Sequence, residues 1–318
     1  MAERRPLHRT TALVTGGAGF VGSWLCEELL ARGARVVCVD SFVTGSRANV
    51  EPLLGRDDFQ LVEADVSYGV PDVGPVDWVV HLASPASPEH YLRMPLETLR
   101  VGSQGTWNCL ELAATHGARL LLASTSEVYG DPEVHPQPED YWGNVNPVGP
   151  RSVYDEAKRF AEALVTTHRE LGLVDTTIAR IFNTYGPRMA AGDGRLVPTL
   201  VRQALAGEPL TVAGDGSRTR SLCWVGDTVD GLLRLLTSTE PGPVNIGNDA
   251  EHTLLDIARE VLAATGSEVP IVSVPVPRDD PRRRCPDLTQ ARTRLGWEPT
   301  TSLTEGLRRV VAAERELV

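Results

Sequence analysis

The chain has 318 residues, 42% hydrophobic and 23% charged, with a formal net charge of -11. That composition suits one large globular unit or two closely joined domains with ample core. The acidic balance argues against nucleic-acid binding, which needs a basic surface, and no apolar run approaches the roughly 20 residues of a membrane span.

The 5 cysteines (Cys26, Cys38, Cys109, Cys223, Cys285) are scattered and form no CxxC pair. No metal site is expected from them, and reduced thiols are the simpler reading. Met1 to Thr10 is polar and basic, without the apolar region of a signal peptide. A cytoplasmic protein with no membrane partner is the expectation.

In chain order, Thr11–Thr15 reads as a short strand, and Gly16, Gly19 and Gly22 follow at GxxGxxG spacing. Ser23–Arg32 carries apolar residues at helical spacing and Gly33 stops it. Glycines let such a turn be tight and let backbone approach a pyrophosphate at the helix N-terminus. Arg35–Val39 is a second strand ending in Asp40, whose carboxylate suits both ribose hydroxyls of an adenosine and repels a 2′-phosphate, favouring NAD over NADP. The alternative is that Asp40 caps a turn. Phe59–Glu63 reads as a third strand with Asp65 past its end, either an adenine ligand or another turn carboxylate. Val76–His81 is a fourth strand, after which the small Ala83 and Ser84 let the chain pass close to a cofactor. Leu92–His116 has helical character interrupted by Pro95, Gly102 and Gly105, and Arg119–Ala123 is a fifth, buried strand.

Arg151–Leu171 is a long amphipathic helix and Asp175–Ile181 a further strand. Asn183–Arg188 reads as a loop, Val197–Ala206 as a helix, and Leu210–Val212 and Thr219–Val225 as strands. Thr228–Thr237 is helical, Pro243–Ile246 extended, Leu254–Thr265 helical and Ile271–Val276 a strand. Asp279–Pro286 is a charged loop, before closing helices at Leu288–Leu295 and Leu303–Glu316. The alternation implies an α/β fold: a doubly wound parallel Rossmann sheet with a smaller C-terminal α/β substrate domain. We expect residues 1–181 to form the NAD-binding domain, with 223–250 returning to it, and 182–318 mainly to bind substrate.

Chemistry concentrates at two places. Thr125, Ser126 and Glu127 follow the fifth strand, at the end where parallel sheets bind ligands. Tyr154 and Lys158 lie four apart on the long helix, hence on one face. An ammonium beside a phenol stabilises the phenolate, which makes a general base near neutral pH.

GxxGxxG, Asp40 and Tyr154-xxx-Lys158 together resemble the extended short-chain dehydrogenase/reductases, the nucleotide-sugar epimerase/dehydratase group. Longer strings resemble the UDP-glucuronate decarboxylase family: His81-Leu-Ala-Ser-Pro-Ala-Ser-Pro88, Thr125–Pro136, Glu139-Asp-Tyr-Trp-Gly143, Arg180–Met189, Gly207–Val212 and Leu295-Gly-Trp-Glu-Pro299. A dehydratase of this group has an Asp acid where Ser126 stands, and a simple 4-epimerase lacks the carboxylate of Glu127. The family's arginine near the end of the charged loop matches Arg284, with Arg282 and Arg283 as neighbouring alternatives. Cys285 replaces the usual lysine, and Gly102 replaces a common asparagine.

The resemblance implies NAD as cofactor, held by Gly16, Gly19, Phe20, Val21, Gly22, Asp40, Ser41, Phe42, Thr44, Gly45, Asp65, Val66, Leu82, Ala83, Ser84, Tyr154 and Lys158. It implies UDP-glucuronate as substrate and UDP-xylose as product. Asn183, Arg188, Val197, Thr211 and Arg220 would hold the UDP, Glu89 and Tyr91 would lie near the sugar, and Arg284 would hold the sugar carboxylate or a phosphate. Thr125 or Ser126 would bond the 4-oxygen, and Glu127 would position the ring or relay a proton. A homodimer through helices around 92–115 and 154–171 is also implied. The alternatives are a UDP-hexuronate 4-epimerase, an NDP-sugar 4,6-dehydratase, or a silent protein that senses NAD or nucleotide sugar.

Overall fold

The computed structural model describes residues 5–190, 192–276 and 283–316. In chain order the elements are β1 (Thr11–Thr15), α1 (Phe20–Ala31), β2 (Arg35–Asp40), β3 (Phe59–Glu63), β4 (Trp78–His81), α2 (Pro88–Arg93), α3 (Pro95–Arg100), α4 (Thr106–His116), β5 (Arg119–Thr125), α5 (Ser152–Glu170) and β6 (Thr176–Ile181). Then come β7 (Thr184–Tyr185), α6 (Leu196–Ala206), β8 (Leu210–Ala213), β9 (Thr219–Ser221), β10 (Cys223–Trp224), α7 (Val225–Thr237), β11 (Val244–Ile246), β12 (Glu251–Thr253), α8 (Leu254–Thr265), β13 (Ile271–Val274) and α9 (Leu303–Glu316).

The first six strands and β11 form a 7-stranded parallel sheet in the order β11-β6-β5-β4-β1-β2-β3. A parallel sheet carries helices on both faces, so its strands are apolar throughout. Alternate side chains then serve two cores. Ala12, Val14, Val36, Cys38, Val80 and Leu121 pack on one face. Leu13, Val37, Val79, Leu120 and Leu122 pack on the other with Leu110 of α4 and Ala161 and Val165 of α5. The strand order reverses between β1 and β4, which opens a crevice at their carboxyl ends. The later chain supplies three two-stranded sheets beside that crevice: β7 with β10, β9 with β12, and β8 with β13.

Three expectations need correction. Gly102 and Gly105 do not interrupt the helix; Val101–Gly105 is a π-helical turn joining α3 to α4. A Cβ on Gly102 would lie 2.7 Å from the Ala157 Cβ, so glycine is what lets this turn pack on α5. The segment 183–188 is not wholly loop, because Thr184–Tyr185 pairs with Cys223–Trp224. The single strand expected over 219–225 breaks at Leu222 into β9 and β10, which pair with different partners. Among the described residues no helix is long and apolar enough to cross a membrane.

Candidate active site

A cleft of about 1150 Å³ runs along the carboxyl ends of the strands. The glycine loop forms one wall. The Cβ of any residue at Gly22 would meet the Gly16 carbonyl oxygen at 2.1 Å, so α1 can begin this close to the loop only with glycine there. Gly19 caps α1 without a side-chain bond, leaving the first-turn N–H groups open toward the cleft. These features fit a dinucleotide pyrophosphate.

Asp40 ends β2 and is buried. Its carboxylate accepts the Ala18 N–H at 2.9 Å and the Phe42 N–H at 2.8 Å. Burial raises its pKa and those backbone bonds oppose the rise. Asp40 thus braces the glycine loop while lining the cleft, so the two readings of it are compatible. Asp65 accepts the Ser67 N–H at 2.8 Å, which makes it a turn carboxylate, and it too lines the cleft.

Thr125 closes β5, whose seven residues are all buried. A short 3₁₀ turn, Ser126–Tyr129, follows, and the Thr125 hydroxyl accepts the Glu127 N–H at 3.3 Å. Opposite, Tyr154 and Lys158 lie one turn apart on α5, both buried. The Thr125 hydroxyl acts on the Tyr154 phenol, favouring its ionised form. Its ring stacks on Tyr91 of α2, centroids 5.2 Å apart and planes at 4°.

Lys158 differs from expectation. Its ammonium donates to the Ala123 carbonyl at 2.8 Å and lies 5.9 Å from the centre of the Tyr154 ring. Burial pushes the Tyr154 phenol up to about 12, against the lowering effect of the Thr125 hydroxyl. Burial also pulls Lys158 down to about 8, against the charge of Glu162. In the protein alone desolvation outweighs the opposing effects of Thr125 and of the Arg195 charge, so the phenol is neutral at physiological pH.

Glu127 also differs. Arg284 donates to both its oxygens, at 2.6 and 2.8 Å, and Arg151 donates to one at 2.7 Å. Burial works to raise its pKa, but the charges and hydrogen bonds of Arg284 and Arg151 overcome this and hold the carboxyl at about 2. Its two guanidinium partners favour the ionised form, so Glu127 stands in the cleft wall as a paired carboxylate. Asp155, next to Tyr154, goes the other way: burial first, then the Glu127 charge, lift it to about 7.

The remaining predicted residues divide clearly. Phe20, Val21, Ser41, Thr44, Gly45, Val66, Leu82, Ala83 and Ser84 line the cleft, as do Ser126, Asn183, Arg188, Val197, Thr211 and Arg220. Arg188 also pairs with Glu27 of α1 at 2.7 Å and lies 5.2 Å above the Trp24 ring. Phe42, Glu89 and Tyr91 do not line it. Phe42 turns its backbone N–H to Asp40. Glu89 pairs with Arg93 one turn along α2. Tyr91 is buried behind Tyr154, and its hydroxyl has no hydrogen-bond partner among the described residues. Of the three candidate loop arginines, Arg284 is buried in the cleft wall, Arg283 is exposed, and Arg282 lies outside the described residues.

Sequence reading missed Arg151 and Arg195, both in the cleft wall. Arg151 immediately precedes α5, one turn before Asp155, a position that placed it near the site once the helix was recognised. Arg195 is paired with Asp193, and its guanidinium lies 5.9 Å from the Phe20 ring centre.

Residues 12–247 match the model of the NAD dependent epimerase/dehydratase family. UDP-glucuronic acid decarboxylase 1 of Danio rerio is 50% identical over 303 residues, 95% of this chain and 72% of that protein. The structure of UDP-glucose 4-epimerase from Thermotoga maritima with UDP-glucose superposes with a TM-score of 0.88 at 29% identity, covering 96% of this chain and 99% of that one. UDP-glucuronic acid 4-epimerase from Bacillus cereus, in complex with UDP-glucuronic acid and NAD, gives 0.85 at 27% identity, covering 97% and 100%.

Proposed function

The chain belongs to the NAD dependent epimerase/dehydratase family, and from that premise we propose that it is a UDP-glucuronate decarboxylase, converting UDP-glucuronate to UDP-xylose and CO2. The observation that carries this reading is the Arg284–Glu127–Arg151 cluster beside Tyr154. Two guanidiniums and one carboxylate leave one net positive charge on the cleft wall, which suits a sugar that carries a carboxylate of its own. Decarboxylases 50% identical over 95% of this chain support the same choice.

The cofactor is NAD, held by the glycine loop, the α1 N-terminus and Asp40. Bound there, it supplies the oxidation at C4 of the sugar and its later reversal. The chain's residues do the rest. Thr125 and Tyr154 both line the cleft where the C4 oxygen would sit, and Tyr154 takes the C4 hydroxyl proton. Arg284 holds the C6 carboxylate. With a ketone at C4, that carboxylate is β to a carbonyl, which accepts the electron pair as CO2 leaves and C5 then takes a proton. Ser126 offers no carboxylic acid to expel a hydroxyl, which disfavours dehydration. Asn183, Arg188, Val197, Thr211 and Arg220 are assigned to the UDP. Residues 1–181 with 223–250 are assigned to NAD and the rest of 182–318 mainly to substrate.

Purified protein supplied with NAD is expected to turn UDP-glucuronate into UDP-xylose with release of CO2, followed by mass. Unchanged substrate would sink the proposal. A product of unchanged mass identifies a 4-epimerase, loss of water a dehydratase, and a released 4-keto pentose an enzyme that omits the final reduction.

We further propose a homodimer. Leu96 on α3, Trp107 on α4 and Phe160 on α5 are 70%, 43% and 52% exposed. Large apolar side chains so placed suit a self-complementary helix face. Sedimentation is expected to give a dimer at micromolar concentration; a monomer there contradicts it. The 5 free cysteines, all buried, suit a reducing compartment and hence the cytoplasm; fractionation with an oxidising compartment would argue otherwise.

A further inference from the structure

Arg284 can serve a substrate carboxylate only if its backbone is fixed, and it lies just beyond a stretch, 277–282, outside the described residues. What fixes it is remote in sequence. Gln137 is fully buried yet polar. Its backbone N–H donates to the Cys285 carbonyl at 2.9 Å, and its carbonyl accepts the Asp287 N–H at 3.0 Å. Its side-chain oxygen accepts the Cys285 N–H at 2.9 Å, while its amide nitrogen donates to the Val134 carbonyl at 2.8 Å. Asn245, also fully buried, donates to the carbonyls of Gln137 and Asp287 at 2.9 and 3.1 Å. The peptide that follows Arg284 is therefore bound by both the main chain and the side chain of one residue. Gln137 itself does not line the cleft.

We infer that Gln137 is a positioning residue for Arg284, and through it a determinant of selectivity for the carboxylated sugar. The inference rests on the functional reading above. A buried amide with its donor and acceptor both used is well fixed, because leaving either unpaired is unfavourable. Removing the acceptor frees the Cys285 N–H and loosens the strand from which Arg284 reaches Glu127, 157 positions away in sequence. Among the described residues, Asn183, Arg188, Val197 and Thr211, assigned to the UDP, make no hydrogen bond to this segment, and Arg220 is linked to it through its neighbour Ser221, whose N–H donates to the Arg284 carbonyl at 3.4 Å. The signature of positioning is thus a selective one: binding of UDP-glucuronate weakens while binding of UDP-xylose, which lacks the carboxylate, does not.

The test is calorimetric titration of both ligands into the NADH-loaded protein, whose reduced cofactor cannot accept the C4 hydride, so that UDP-glucuronate binds without being turned over. Gln137→Met keeps the volume and removes both polar atoms. It is expected to weaken UDP-glucuronate roughly 10- to 100-fold, the range for a lost hydrogen bond to a charged group, and UDP-xylose by less than about 3-fold. Gln137→Glu, which burial favours in the protonated form, keeps an acceptor for the Cys285 N–H and an O–H for the Val134 carbonyl, and is expected to recover most of the selectivity. Equal weakening of both ligands, no weakening of either, or a Gln137→Met chain that does not fold would each overturn the positioning role. The wild-type protein serves as the separate control: if it neither binds nor decarboxylates UDP-glucuronate, the functional reading fails, whatever the variants do.

Discussion

Tyr154→Phe is expected to lower decarboxylation of UDP-glucuronate by roughly 10²- to 10⁴-fold, the contribution of a positioned general base, with the dissociation constant of the substrate changed only a few-fold. The substitution removes one oxygen and keeps the ring that stacks on Tyr91. What is lost is the phenol's interaction with the Thr125 hydroxyl. Phenylalanine also avoids desolvating a hydroxyl, so stability should move by no more than about 1 kcal/mol. The effect on rate follows from the site's electrostatics. Burial holds the phenol at about 12, so the protein alone keeps it protonated at pH 7, and the base form has to be drawn out by positive charge. Lys158, at about 8, is cationic at pH 7. It is anchored on the Ala123 carbonyl, a fixed distance from the ring. Steady-state kinetics on the variant, with thermal denaturation as the control for folding, give the answer. Turnover within 10-fold of wild type would remove Tyr154 from the chemistry.

The features legible in the sequence were the local ones. Gly16, Gly19 and Gly22 define a turn within one short stretch, and Asp40 falls at the end of the next strand. Tyr154 and Lys158 share a helix face because four residues make about one turn. That spacing fixed the face but not the direction of the ammonium, which turns to the Ala123 carbonyl. It also carried no information about burial, which decides the sign of the phenol's shift. Gly102 read as a break because glycine is a poor helix former; its purpose is the close approach of Ala157, a contact between helices 55 residues apart in sequence. The same limit explains Arg151 and Gln137. Each acts on a residue brought near by the fold: nothing in the local pattern marks Gln137, and the helix that Arg151 precedes places it near the site without revealing its partner Glu127. Glu127 was placed correctly at the end of β5, yet its role depends on Arg284 from the far end of the chain.

That pairing makes Glu127→Gln the most informative charge change, because stability and ligand selectivity should move in opposite directions. Glu127 ionises at about 2 in the folded protein against 4.5 for an unperturbed glutamate. The folded pKa is depressed, so the stabilisation is complete above pH 4.5 and is lost as pH falls through 2. Below that window Glu127 is protonated in both states and contributes nothing; at pH 7 its full contribution is present. Glutamine leaves Arg151 and Arg284 facing each other without their counter-ion, which is unfavourable for buried groups. Denaturant unfolding should show that loss at pH 7, with the gap between variant and wild type closing as the pH is lowered from 4.5 toward 2. Ligand binding should respond in the reverse sense. In the wild-type protein a substrate carboxylate competes with Glu127 for the Arg284 guanidinium. In the variant it meets two guanidiniums with no carboxylate on them, so UDP-glucuronate should gain affinity relative to UDP-xylose by about 10-fold or more. Turnover should fall, because a ground state bound more tightly without a matching gain in the transition state raises the barrier. Selectivity unchanged from wild type would show that the substrate carboxylate does not use these arginines.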